Sequence, residues 1–322
     1  RAFSGSTGIS RMQRLHPKHF LPFACLYRQF KPCRIRGFSS WSSLKLSLNH
    51  NDPMSISYYL KEIGRGRKGA RSLEREQAAD LFAQLLEGSV SDLEVGAFCI
   101  AMRIKGESAD ETAGFLDATL EQTEVFPAMP GQRPVVVLPS YNGARKLPVL
   151  TPLLALLLAR EGLPVLIHGR PTENGRIHVQ DLLSPLAIPQ LDAIQTIANG
   201  EVVFADTALF CPGITRLLEV RRTIGLRNSA HSVVKLMNPC AGPSLVISSY
   251  THPEYAISMA KTLLLTGTNT MLLRGTEGES VADPRRMPAM AGFIRGEQQS
   301  LESLKHGPLP TTAELPSEVD VS

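Results

Sequence analysis

The stretch from Pro134 to Gly169 constrains this chain most. "PVVVLPS" (134–140) is a short apolar run rich in valine. "LTPLLALLLAREG" (150–162) is apolar nearly all round and has helical length. "LPVLIHG" (163–169) is a second apolar run. Strand, helix and strand in that order make a βαβ unit, which requires a parallel sheet. The unbroken hydrophobicity of both strands places both faces of that sheet under cover. The pattern returns in the strand "SLVISS" (244–249), the helix "HPEYAISMAKTLLLTG" (252–267) and the strand "NTMLLRG" (269–275). An α/β domain is expected over residues 134–295.

Ahead of this unit the period is helical. "SLEREQAADLFAQLLEG" (72–88) puts Leu81, Phe82, Leu85 and Leu86 on one face, with Ser72 as the expected N-cap and Gly88 as the stop. "SDLEVGAFCIAMRIKG" (91–106) opens with the capping box Ser91 and Glu94, and "SADETAGFLDATLEQT" (108–123) with Ser108 and Glu111. Short connections between such helices imply a bundle, expected over 54–126. Patterned sequence begins at "MSISYYLKEIGRG" (54–66). Residues 1–53 are basic, Ser-rich and without period. That composition fits an organelle transit segment, a basic arm for nucleic acid, or sequence upstream of a start at Met54, the reading adopted here. After about Gly296 the chain turns polar, and 296–322 is expected to be irregular.

Composition excludes some classes. The longest apolar stretch is interrupted by prolines, Arg160 and Glu161, so no span of a bilayer is expected. The formal net charge of +4 arises in the first 53 residues, which hold nine Lys/Arg and one acid; the remainder carries 25 basic and 29 acidic side chains. A polyanion partner must therefore meet a local patch. Residues 72–124 hold twelve acids and three bases, whereas 133–295 hold sixteen bases and eleven acids. The five cysteines lie at irregular separations without a CxxC pair, which suggests reduced thiols in a cytoplasmic protein.

Three stretches carry a family resemblance. "VGAFCIAMRIKGESADETAGFLDA" (95–118) resembles the helical N-terminal domain of glycosyltransferase family 3, which includes anthranilate phosphoribosyltransferase and the pyrimidine nucleoside phosphorylases. "RRTIGLRNSAHSVVKLMNP" (221–239) is similar to the family's Arg-rich segment, and "LIHGR" (166–170) to the strand ending in its His-Gly motif. The similarity covers about 57–295. It implies a helical domain plus a parallel-sheet α/β domain, and a homodimer formed through the helical domain with Tyr58, Tyr59 and Leu60. The family's closing helices would follow "LPSEVDVS", so the chain reads as truncated.

The departures set the functional expectation. The family's phosphoribosyl-diphosphate turn is Gly-Thr-Gly-Gly-Asp, whose backbone N–H groups close on the diphosphate. The equivalent here is "PSYNGARK" (139–146). Pro139 has no N–H to give, Tyr141 fills space that glycine leaves open, and of the glycines only Gly143 remains. The combination with "RNSAHS" resembles a branch of the family that binds nucleic acid without transferase activity. That resemblance implies DNA or RNA binding with little sequence preference and no cofactor. Arg145, Lys146, Arg170, Arg221, Arg222, Arg227 and Lys235 are the candidate contacts. Arg227, His231 and Lys235, four apart, would form one stripe if helical. Arg216, "KEIGRGRKGAR" (61–71), Arg285 and Arg286 add basic charge nearby. Ser140, Tyr141, Asn142, Gly143 and His168 form the vestigial diphosphate site. His168 reads as a satisfied strand-end histidine, and Tyr141 as a stacking platform or a plug. The alternative is a phosphoribosyltransferase acting on an aromatic acceptor, with phosphoribosyl diphosphate and with Mg2+ held by Glu277 or Glu279.

Overall fold

The computed structural model describes residues 55–299, apart from 67 and 284–288. The first 54 residues, Arg285, Arg286 and residues 300–322 therefore lie outside the described residues. Four helices come first: α1 (Ser57–Ile63), α2 (Arg75–Glu87), α3 (Asp92–Lys105) and α4 (Ala109–Glu121). Ser91 and Ser108 cap α3 and α4, each accepting from the N–H of the glutamate three residues on. Helix α2 starts later than expected. Leu73 sends its N–H across to Glu111 Oε1 (2.9 Å), and Glu74 takes the N-cap place assigned to Ser72, donating its own N–H to Gln77 Oε1 (3.1 Å). Phe82, Phe98 and Phe115 form the centre of the bundle, the first and last stacked with centroids 4.5 Å apart.

The second part is a seven-stranded sheet in the order β3-β2-β1-β4-β5-β6-β7. Strands β1 (Val135–Ser140), β2 (Val165–Gly169), β3 (Val202–Asp206), β4 (Ser244–Tyr250) and β5 (Thr270–Arg274) are parallel; β6 (Met290–Ile294) and β7 (Glu297–Gln299) close one edge antiparallel. Helix α5 (Thr151–Arg160) makes the β1–β2 crossover, and α6 (Thr207–Phe210), α7 (Pro212–Ile224), α8 (Ala230–Val233) and α9 (Pro253–Thr266) supply the rest. Strand β7 corrects the expectation that the chain is irregular after Gly296: Gly292 pairs with Gln299 and Ile294 with Glu297.

Alternation along the strands sends one set of side chains to each face. Val137, Leu166, Val203, Val246 and Leu272 join the core that also holds Phe82, Leu86 and Phe115 of the bundle. Val136, Leu138, Val165, Ile167 and Leu273 pack with Ala155 and Leu158 of α5 on the opposite face. One core thus runs from the bundle into the sheet. The parallel strands end together at Ser140, Gly169, Asp206 and Tyr250, and the loops leaving those ends build the site. No described helix is long and apolar enough to cross a membrane.

Candidate functional site: a closed turn beside an arginine cluster

The turn after β1 is closed from within. Tyr141 is buried, and its hydroxyl lies 2.7 Å from His168 Nδ1 and 2.8 Å from Thr207 Oγ1. The ring fills the turn and presents no open face to solvent. Burial pushes the Tyr141 hydroxyl far up and holds the His168 imidazole near pKa 3, so both stay neutral. His168 is satisfied at Nδ1 only; its buried Nε2 has no partner.

The turn's backbone donors are taken by two glutamates from the loop after β5. Asn142 and Gly143 donate their N–H groups to Glu279 Oε1 (3.0 and 2.9 Å), while Ser140 and Thr151 donate their hydroxyls to Oε2 (2.5 and 3.2 Å). Glu277 accepts from the N–H groups of Arg145, Lys146 and Leu147. Gly143, at φ +63°, and Gly278, at φ +89°, permit this approach. A Cβ at Gly278 would run into the Asn142 side chain, whose Nδ2 donates to Gly278 O (2.9 Å). Two carboxylates thus hold the backbone donors of this turn.

The same geometry bears on magnesium. Glu279 is buried, with both oxygens engaged by N–H and O–H donors, and Glu277 is turned toward three amides. Among the described residues, no group of three or more His, Cys, Asp or Glu side chains is placed to hold a metal ion. These carboxylates do not fit an octahedral Mg2+.

Beside the closed turn, four guanidiniums converge on one carboxylate. Glu173 Oε2 lies 2.9 Å from Arg176 Nε, 3.0 Å from Arg221 Nη2 and 3.7 Å from Arg227 Nη2, and Oε1 accepts from Arg145 Nη2 at 3.0 Å. Burial works to raise the Glu173 carboxyl, but Arg221, Arg176 and Arg227 overcome it and hold it below the usual range. Arg176 and Glu173 escaped the sequence reading. The signal was a Glu and an Arg three apart in "ENGR" (173–176), directly after the His-Gly strand end.

The other candidates divide. Lys146 is exposed at the rim of the turn. Arg170 is held between Asp206 Oδ1 and Glu219 Oε1, both at 2.9 Å. Arg222 pairs with Glu219 and remains half-exposed. Arg216 ties α7 to the end of α2 through Leu86 O, and Arg65 pairs with Glu62. The expected stripe of Arg227, His231 and Lys235 does not form, because α8 covers only Ala230–Val233. Instead these residues enter a cleft of about 510 Å³ between the bundle and the sheet, which Arg103, Glu107, His252 and Tyr255 also line. Burial lowers the Lys235 ammonium to about 8, with Glu279 opposing, and its Nζ reaches Gly278 O at 3.3 Å. Burial likewise lowers His231 to about 3, and nearby Arg227 and Arg221 add to the effect.

The kinship of the chain agrees with this frame. The model for the glycosyl transferase family helical bundle domain matches residues 57–123. A protein of Escherichia coli (strain K12), YbiB, described as uncharacterized, is 42% identical over 240 residues, 73% of this chain and 75% of that protein. The chain belongs to glycosyltransferase family 3. Anthranilate phosphoribosyltransferase of Pseudoalteromonas translucida is 26% identical over 217 residues, 66% of this chain and 61% of that enzyme. The anthranilate phosphoribosyltransferase of Thermus thermophilus superposes with a TM-score of 0.60 at 22% identity, over 77% of this chain and 78% of that one, a likeness of fold. The two-part architecture expected from the resemblance is therefore the observed one.

Proposed function

We propose that this family member binds nucleic acid, DNA or RNA, largely without sequence preference. One observation carries the reading: four arginines share a single carboxylate beside a turn whose own anion donors are already satisfied. Cationic surface left over after internal pairing is what a phosphate backbone rewards, through release of its counterions. Arg145, Arg221 and Arg227 supply the cluster together with Arg176, and Lys146 and Arg222 extend it. Arg170 and Lys235 position neighbours rather than contact the ligand.

The exposed apolar side chains Tyr58, Leu93, Ile100 and Ile104 on α1 and α3 support a homodimer through the helical part. Tyr59 serves within the chain instead, its hydroxyl bonded to Asp80 at 2.6 Å. Cys99 and Cys211, free and buried, fit a reducing compartment such as the cytoplasm.

The test is fluorescence anisotropy of a labelled single-stranded oligonucleotide titrated with the full chain at two salt concentrations. Engagement of four phosphates predicts a salt slope of about −3. Charge reversal at Lys146 together with Arg227 weakens every sequence alike. Absence of binding at low salt by folded protein overturns the reading. Kinship with proteins named anthranilate phosphoribosyltransferase favours a second reading, phosphoribosyl transfer to an aromatic acceptor in the 510 Å³ cleft. Under it, phosphoribosyl diphosphate with Mg2+ stabilises the protein by about 2.7 kcal/mol at a hundredfold excess over its dissociation constant. With the turn closed, no such stabilisation is expected.

A further inference from the structure

We propose that Glu173 stands in for a phosphate group, and that the arginine cage around it is a phosphate site which an incoming polyanion enters by displacing this carboxylate. The polymeric ligand rests on the nucleic-acid reading; the phosphate site does not.

Two internal carboxylate sites lie side by side, and their bonding differs. At the turn, the Glu279 oxygens accept from two N–H groups and two hydroxyls, and the residue is buried. That site is saturated. In the cage, one anion faces Arg145, Arg176, Arg221 and Arg227. Glu173 Oε2 is approached by three guanidiniums, yet Arg176 Nε, 2.9 Å away, is not aligned to donate to it, and Arg227 Nη2 stops at 3.7 Å. A planar carboxylate offers two oxygens in one plane and cannot present an acceptor to every fork around it. A tetrahedral phosphate presents its oxygens in several directions and carries the charge guanidinium forks recognise best.

The exchange needs only a side-chain rotation. The backbone of the loop is fastened independently, with Thr172 Oγ1 donating to Tyr141 O (3.0 Å) and His178 Nε2 lying 3.1 Å from Glu173 O. The Glu173 side chain is 21% exposed, so its carboxylate can leave for solvent without disturbing that frame.

The experiment compares wild-type protein, Glu173→Gln and Glu121→Gln in the full chain. The last makes the same charge change at an exposed position at the end of α4. The readouts are oligonucleotide anisotropy and thermal stabilisation by inorganic pyrophosphate. Glu173→Gln is expected to bind the oligonucleotide about tenfold more tightly, as expected when one close charge pair no longer has to be broken. It is also expected to be stabilised more by pyrophosphate, with Glu121→Gln unchanged. Equal tightening by both variants would mean net charge alone acts and overturns the proposal. So does unchanged Glu173→Gln beside a wild type that binds, which leaves the nucleic-acid reading standing. If neither protein binds the oligonucleotide but pyrophosphate stabilises Glu173→Gln more than wild type, the phosphate site holds and the nucleic-acid reading fails. If Glu173→Gln loses its melting transition, Glu173→Asp replaces it, withdrawing the charge without deleting it; tighter binding supports the proposal and unchanged binding overturns it.

Discussion

Replacing Tyr141 with phenylalanine removes one hydroxyl and leaves His168 Nδ1 and Thr207 Oγ1 facing each other across a buried gap. Unpaired buried polar groups cost about 1–3 kcal/mol each. The Tyr141→Phe variant is expected to lose stability on that scale in denaturant unfolding, with the ring still filling its space; an unchanged midpoint would show that the three groups do not act together. At this scale the sequence was partly legible. A tyrosine where a phosphate turn calls for glycine already says that something fills the turn. The partners that hold it there were not legible, because Thr207 lies 66 residues away and Glu279 lies 137 residues from Asn142. Glu277 and Glu279 looked like metal-ligand candidates for the same reason. A carboxylate's type is visible in sequence, but the donors it faces are not. Glu173 illustrates the converse: its four arginines come from three separate stretches, so no window of sequence contains the cage.

Among the elements, Glu111 joins more pieces than its place in a capping box suggests. It caps α4, accepts the Leu73 N–H ahead of α2 and pairs with Lys105 at the end of α3, with Oε2 and Nζ 2.6 Å apart and both side chains buried. Removing one member of a buried ion pair leaves the other uncompensated, which costs about 3–5 kcal/mol. Glu111→Ala should lower stability by that amount, read from urea unfolding, whereas Glu94→Ala in the exposed box of α3 should cost about 1 kcal/mol. Helices α3 and α4 were legible because a capping box opens each apolar helical period, and β1 and β2 because their apolar runs are unbroken. Strand β3 was not: its five residues carry no turn signal beyond Gly200, and α6 follows without a gap. Strand β7 is the sheet edge, three polar residues with exposed or half-buried side chains, so it carries no hydrophobic pattern, and β6 beside it is a short apolar run broken by Gly292. Arg227 fell off the predicted stripe because α8 is a single turn, its N–H groups engaged by 3₁₀-like bonds such as His231 N to Asn228 O (3.1 Å).

For the molecule as a whole, the continuous core under bundle and sheet makes stability a shared property, and two buried histidines contribute to it together. His168 and His231 stay neutral in the fold down to about pH 3, burial being the main cause in both. The unfolded chain takes up those protons near pH 6.5. Between these values the unfolded state binds more protons, so stability falls as pH falls, by up to about 1.4 kcal/mol per pH unit for each histidine. Urea midpoints measured from pH 7 to pH 5 should decline; a flat profile would mean that one of the rings gains a proton partner in the fold.

The closed turn also limits how this chain can change. Deleting the Glu279 carboxylate alone strands the amides of Asn142 and Gly143 while Tyr141 still occupies the space. Trimming Tyr141 alone opens a void while Glu279 still holds the amides. Each single step toward an open turn passes through a less stable protein, and the two changes lie in distant parts of the gene. An open turn therefore requires both changes at once, made at positions far apart in the sequence.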